Sequence, residues 1–275
     1  MPIQKPAPMM VNGRPIYTLS SYVPVSIEVT VPKTTDDEVE LMLGQLLAQH
    51  GAGPEKLLDT AWIAKEFPGA TNADDLRLAV RQELEGMAAQ NAEQDKPVRC
   101  AEKLAERLNQ SVTPGDVAAV KQELMAEFQQ QASQAGEGFE QFMAANSMAL
   151  DQYFDQQARE MAAQDAALDA YARNAKLDVD PSEYPQLLGM PADQMDQILS
   201  QLRSMGQLDM VREAALRAKA MRVLVSQCKC TYHHETEAEA AERVAQLKQM
   251  MAQAGQPGGP AEPPAPAGGP SLKLV

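Results

Sequence analysis

Apolar side chains recur at three- and four-residue spacing along most of this chain, and the runs are cut mainly by Pro and Gly. Wound as a helix, each such run presents one apolar face; as a strand it would scatter its apolar residues on both sides. Val39, Met42, Leu43, Leu46 and Leu47 make the first stripe. Thr35 and Glu38 stand before it at the spacing of a capping box, in which side chains satisfy two orphan amides. Gly51, Gly53 and Pro54 stop this helix. Asn72 can cap the next, which carries Leu76, Val80, Leu84 and Met87. Pro97 lacks an amide hydrogen and should kink or split it, with Leu104 and Leu108 continuing the second half.

The turn Thr113-Pro114-Gly115 leads into Val117, Val120, Leu124 and Phe128. Gly136 and Gly138 break that helix before Phe139, Phe142 and Met143. A long helix from about Ala149 to Asn174 places Leu150, Phe154, Met161 and Leu168 on one side. After Asp180-Pro181 come helices around MDQILSQLRSM and LDMVREAALRAKAMRVLV, then a charged helix over ETEAEAAERVAQLKQMM. Strand signals are confined to the N-terminal side, where Val25 to Val31 alternates with period two. Met1 to Pro15 is Pro-rich and reads as an extended leader, and Pro24 should end any pairing before it. The Pro/Gly/Ala-rich stretch 255–275 cannot bury enough apolar surface to fold and is expected to be disordered. The expected fold class is mainly α. A leader and short β segment fill 1–34, and an elongated multi-helix body with arm hairpins fills 35–254.

Composition narrows the function classes. Aromatic residues are 4% of the 275, so the core must be built from Leu, Ala and Met. The 16 Met could fill gaps in such a core, or could form an adaptable surface for differently shaped partners. Acidic residues outnumber basic ones, 38 to 24, and the formal charge of −14 repels phosphate backbones, which argues against nucleic-acid binding. No apolar run is long enough to span a membrane, and the N-terminus lacks the charged and apolar regions of a signal peptide. A cytoplasmic protein is expected.

Motifs for chemistry are absent: there is no GxGxxG, P-loop, G-x-S-x-G or HExxH. Asp36-Asp37 and Asp74-Asp75 fall at helix starts, where negative charge offsets the helix dipole. Cys100 has Arg99, Lys96 and Lys103 nearby, which could lower its pKa, but no His accompanies it. Cys228, Cys230, His233 and His234 are the candidates for a metal site, yet Cys-x-Cys beside a His pair matches tetrahedral spacing poorly. They are read as a tolerated cluster where a helix frays into a turn. No metal or other cofactor is expected.

In this order the segments resemble trigger factor, the bacterial ribosome-associated chaperone. VSIEVTVPKTTDDEVELMLGQLLAQ is similar to the family's passage from a strand into the helix before its isomerase domain. LLDTAWIAKEFPGATNADDLRLAVRQELE is similar to the family's Leu-Asp-x-x-Phe-x-Lys segment and the helix after it. Leu76, Arg77, Val80 and Arg81 stand in the Leu-Arg-x-x-hydrophobic-Arg part. SVTPGDVAAVKQELM, the Gly-rich break, and LDQYFDQQAREMA resemble the first arm and its return. REAALRAKAMRVLVSQCKCT resembles the last family helix. The likeness runs from about Val25 to Thr231 and rests on the collinear order of its parts.

Two departures limit what the resemblance implies. The family inserts a prolyl isomerase domain where this chain has only Gln49 to Lys56, too short for any independent domain. The ribosome-docking loop Gly-Phe-Arg-x-Gly-Lys is missing, and Gly13-Arg14-Pro15 is no substitute. The resemblance therefore implies an ATP-independent holdase for unfolded or nascent polypeptide, with neither isomerase activity nor a ribosome-docking motif. Its client-binding candidates are Phe128, Phe139, Phe142, Met143, Met148, Tyr153, Phe154 and Met161, which could equally form an internal arm seam. Alternatives are a relative of the SurA/PrsA export chaperones, whose modules begin with a stretch similar to Val11-Asn12-Gly13, and a helical adaptor for one folded partner.

Overall fold

A computed structural model describes residues 5–135, 147–206 and 208–254. They divide into two units. One gathers the chain up to Ile27 with Pro97–Lys229, and the other joins Glu28–Lys96 to the chain from Cys230 on. The architecture is mainly α, as the periodicity predicts.

The first unit begins with a correction. Part of the expected leader is a β-hairpin: β1 (Met9–Val11) pairs antiparallel with β2 (Arg14–Ile16). Asn12 at φ 51° and Gly13 at φ 77° make the two-residue turn, since the hairpin twist needs positive φ at both positions. The next residues run along chain ends. The Thr18 N–H donates to Gln110 Oε1 at 2.8 Å, the Thr18 carbonyl accepts from the Asn109 N–H at 2.9 Å, and the Ser20 N–H donates to the Arg107 carbonyl at 2.8 Å. Leu19 and Leu108 are buried opposite one another.

Tyr17 reaches further. Its hydroxyl accepts from the Thr113 N–H at 3.0 Å and donates to the Asp116 carboxylate, and its carbonyl accepts from Arg173 Nη1 at 3.0 Å. Thr113 in turn caps α4 (Pro114–Ala135), taking the Asp116 N–H at 3.1 Å. Segment Tyr17–Ser20 thus ties the end of α3 (Ala73–Ala105) to the start of α4 and the end of α5 (Ser147–Asn174).

Helix α5 packs on α4 along one side and on α8 (Leu208–Gln227) along another. Ala158, Ala162, Ala166 and Ala170, one per turn, are buried and let neighbouring backbones approach closely. Arg217 of α8 holds Asp169 through two bonds of 2.8 and 2.7 Å and Asp165 through one of 2.8 Å, a fork geometry that fixes how the two helices meet. Short α6 (Tyr184–Leu188) and α7 (Ala192–Met205) close a second cluster with α8 around Tyr184, Leu188, Met195 and Val211. Lys219 with Glu183 at 2.9 Å borders it.

In the second unit, α1 (Asp36–Gln49) starts at the expected capping box, with Thr35 and Glu38 bonded reciprocally. Val39, Leu43 and Leu47 pack against Ile63 of α2 (Thr60–Glu66) and Leu76 and Val80 of α3. Strand β3 (Ser26–Val31) buries Ile27 and Val29 and pairs with β4 (Lys229–His234). The flanking bonds, Lys229 N–H to the Val25 carbonyl and Glu235 N–H to the Val31 carbonyl, advance in the same direction, so the pair is parallel. α9 (Glu237–Ala254) follows, and its Arg243 bonds Glu38, Glu235 and the Lys33 carbonyl.

Two other expectations change. Of the kink or split expected at Pro97 the split does not occur: α3 stays helical through it, with Ala92, Cys100, Ala101 and Leu104 buried on either side and one backbone hydrogen bond lost. The expected frayed turn after α8 is strand β4. The disorder expected for 255–275 concerns residues outside those described.

Burial, together with donation to Asp116, pushes the Tyr17 phenol up to about 12, from an ordinary 10.0. The folded state then binds this proton more tightly than the unfolded chain. The stabilisation is complete below pH 10 and disappears as pH rises through about 12. Tyr17→Phe should melt at lower temperature at neutral pH, losing about 1–3 kcal/mol as Thr113 and Asp116 lose their partner. Melts against pH should also lose the part of the alkaline decline that Tyr17 contributes. A variant with the parent's melt at pH 7 and the parent's full alkaline limb would contradict this.

Candidate functional site

Helix α5 returns along α4, and their contact is the first place to look for client-binding residues. Phe128 and Phe154 meet edge-on with centroids 5.1 Å apart, and Tyr153 lies against Phe154 at 5.7 Å. Phe154 is only 7% exposed and sits beside buried Leu150 and Ala158, so it belongs to the seam between the two helices. Phe128, Tyr153 and Met161 are half-buried, each offering part of its surface outward. Met148 lies in the first turn of α5. Phe139, Phe142 and Met143 lie outside the described residues.

At the base of the same pair of helices is an open groove of about 550 Å³. Leu108, Val117 and Ala163 supply apolar wall, and Lys121, Asp155 and Arg159 form a charged margin. Lys121 Nζ stands 2.7 Å from Asp151 and 3.2 Å from Asp155, while Arg159 Nη2 is 2.8 Å from Asp155. Arg159 and Lys121 hold the Asp155 carboxyl below its usual range. These charges are largely neutralised among themselves. The groove offers shape and apolar wall to a partner rather than a reactive group.

Methionine carries the broadest signal. Of the ten Met side chains described, Met195 alone is buried, at 1% exposure. Met9, Met10, Met87, Met125 and Met210 are exposed, and Met42, Met161, Met190 and Met221 are half-buried. The core is made instead of Leu, Val, Ile and many Ala. Unbranched thioethers at a surface can remould against partners of different shape. Met9 and Met10 occupy β1, Met87 lies on α3, Met125 on α4 and Met210 on α8.

A family model for the C-terminus of the bacterial trigger factor protein matches residues 72–226, more than half of the chain. The chain belongs to the trigger factor C-terminal family. The matched stretch starts at the cap of α3 and ends one residue before the end of α8. The stretch from Val25 to Thr71, which also resembles the family, lies outside it. A search of curated proteins found no match. Among solved structures, a hypothetical Mycoplasma protein is similar at 12% identity and a TM-score of 0.40, over 81% of this chain and 93% of that one.

Membership gives this trigger factor C-terminal domain a chaperone-like role, and the remaining candidates of other classes can be placed against it. Cys230 and His234 share one side of β4, whereas His233 points to the other and lies 3.2 Å from Glu239 Oε1. Among the described residues no group of three or more His, Cys, Asp or Glu is gathered so as to hold a metal ion. Cys100 is fully buried within α3. Among the described residues no helix is long and apolar enough to cross a membrane.

Sequence reasoning singled out the aromatic and Met residues of the arm, read Met87 as part of an apolar helix face that proves exposed, and passed over Met9, Met10, Met125 and Met210. Their abundance was visible, but their exposure depends on which helix faces are covered. Phe154→Ala should cost about 3–5 kcal/mol in a cooperative melt, because it empties the α4–α5 seam. Met125→Gln, on an exposed face of α4, should stay within about 0.5 kcal/mol of the parent. A Phe154→Ala protein that melts like the parent would mean that the seam is not a structural contact.

Proposed function

We propose that this chain is an ATP-independent holdase that covers apolar segments of unfolded or nascent polypeptide in the cytoplasm. The observation that carries this reading is the placement of methionine: five exposed, four half-buried and one buried among those described. A stable folded monomer gains nothing from exposed thioethers, whereas a protein that must fit many sequences does. Family membership supports the same class of activity.

Holding needs no chemistry. Covering about 400 Å² of apolar surface is worth about 10 kcal/mol gross at ~25 cal/mol/Å². Association costs of about 4 kcal/mol or more leave about 6 kcal/mol or less, an affinity of roughly tens of micromolar or weaker, which allows release. Acidic surface contributes in a second way. With a net charge of −14, the loaded complexes repel one another and stay dispersed. The segment Gln49 to Lys56 holds only the end of α1 and the start of a short 3-10 turn, so the proposed activity includes no prolyl isomerase step. Neither an energy source nor a metal is required.

The test is a variant in which Met87, Met125 and Met210 are changed together to Gln, which keeps length and helix propensity. Its melt should match the parent within about 1 kcal/mol, since all three are exposed. Its suppression of aggregation of a chemically denatured client should fall several-fold at roughly tens of micromolar protein. Equal suppression by a stable variant would remove these residues from the holding surface. A parent that suppresses no aggregation would contradict the function itself.

A further inference from the structure

The N-terminal hairpin has one side committed and one side free. On β2, Pro15 and Ile16 are half-buried, and Arg14 bonds Glu213 and lies 3.6 Å from Asp209, both on α8. On β1, Met9, Met10 and Val11 are 72%, 55% and 46% exposed. The hairpin therefore rests on the helices through β2, with β1 as the outer strand.

Register then decides which backbone groups are available. With a two-residue turn, Val11 and Arg14 form a hydrogen-bonded pair, as do Met9 and Ile16, and Met10 opposite Pro15 is the non-bonded pair between them. In that position the N–H and C=O point away from the partner strand. Pro15 has no N–H there, so the outer edge of β2 lacks a donor. Met10 keeps both groups, and no described residue bonds to either. Among the described residues the hairpin thus presents a single open edge, flanked on both faces by exposed apolar side chains.

Size selects the occupant. The exposed parts of Met9, Met10 and Val11 come to roughly 300 Å², well short of the ~800 Å² each partner gives to a stable folded interface. A second copy or a folded partner would find too little surface, whereas one extended strand needs no more. We infer that the Met10 edge of β1 takes an extended segment of client polypeptide as a third strand, with Met9 and Val11 covering its side chains on one face. Main-chain pairing is indifferent to sequence, which suits a holder of many clients. Pro8, which lacks an N–H, limits the pairing on one side, so the added strand is short and its capture reversible. This inference deepens the holdase reading and rests on it.

The probe is a short fluorescent peptide of alternating Val and Thr, together with a twin N-methylated at every second residue on its pairing edge. The parent protein should bind the first and not the second. Met10→Pro removes the outward donor without touching the hairpin's own bonds and should weaken binding about tenfold, whereas Met10→Ala, which keeps the N–H, should weaken it less. Equal binding of the methylated twin by the parent would overturn the inference even if the proline variant folded poorly. So would undiminished binding by a folded Met10→Pro protein. Aggregation suppression by the parent is measured alongside. If the parent suppresses aggregation but the edge tests fail, the edge is wrong and holding stands. If the parent holds neither the peptide nor a denatured client, the holdase reading fails and the edge inference falls with it.

Discussion

The backbone of Tyr17–Ser20 is where the larger unit closes. Its amides and carbonyls bond residues just after α3, its Tyr17 hydroxyl engages the cap of α4, and its Tyr17 carbonyl accepts from Arg173 near the end of α5. Each bond contributes only about 1 kcal/mol net, but they act on the same few residues with Leu19 and Leu108 buried between them. Long helices joined only at their ends would otherwise splay. Because closure is achieved at the base, the helical faces further along α4, α5 and α8 do not all have to be covered. That is the physical condition for a protein that keeps apolar surface available.

The same economy appears in the choice of core residues. Ala on α5 and α8 lets helices approach closely with little side-chain volume between them, and Leu and Val fill the remainder. Methionine is left over for the outside. Exposed apolar surface is an aggregation hazard in most proteins. Here it is dispersed over β1, α3, α4 and α8 and set in a surface of high negative charge. Dispersed, weak and adaptable contacts give catch and release, where one deep pocket would give selectivity.

Helix positions were legible because their signals are local. Thr35 with Glu38 and Asn72 cap where the side-chain chemistry places them, Thr113 stands in the expected turn, and apolar spacing marks most of the buried faces. Pro97 does not split α3, since it removes one backbone hydrogen bond and burial on both sides outweighs that loss. β4 was missed for the opposite reason. Lys229 to His234 has no strong strand character, and its partner β3 lies some two hundred residues away in sequence. The hairpin could have been found. Asn12-Gly13 between apolar residues is a turn signal, but the surrounding prolines suggested an extended leader. Among the arm aromatics, apolar spacing put Phe154 on the side of its helix that is buried, but the half-buried state of Phe128 and Tyr153 depends on how the neighbouring helix covers them.

That client polypeptide is held on surface methionines can be tested by oxidative footprinting, because peroxide converts accessible thioethers to sulfoxides at rates that follow exposure. In the free protein, Met9, Met10, Met87, Met125 and Met210 should oxidise readily while Met195 is spared. With a saturating denatured client, several of the five should be protected and Met195 should remain unchanged. A client that is demonstrably held while all five oxidise as fast as in the free protein would contradict the account.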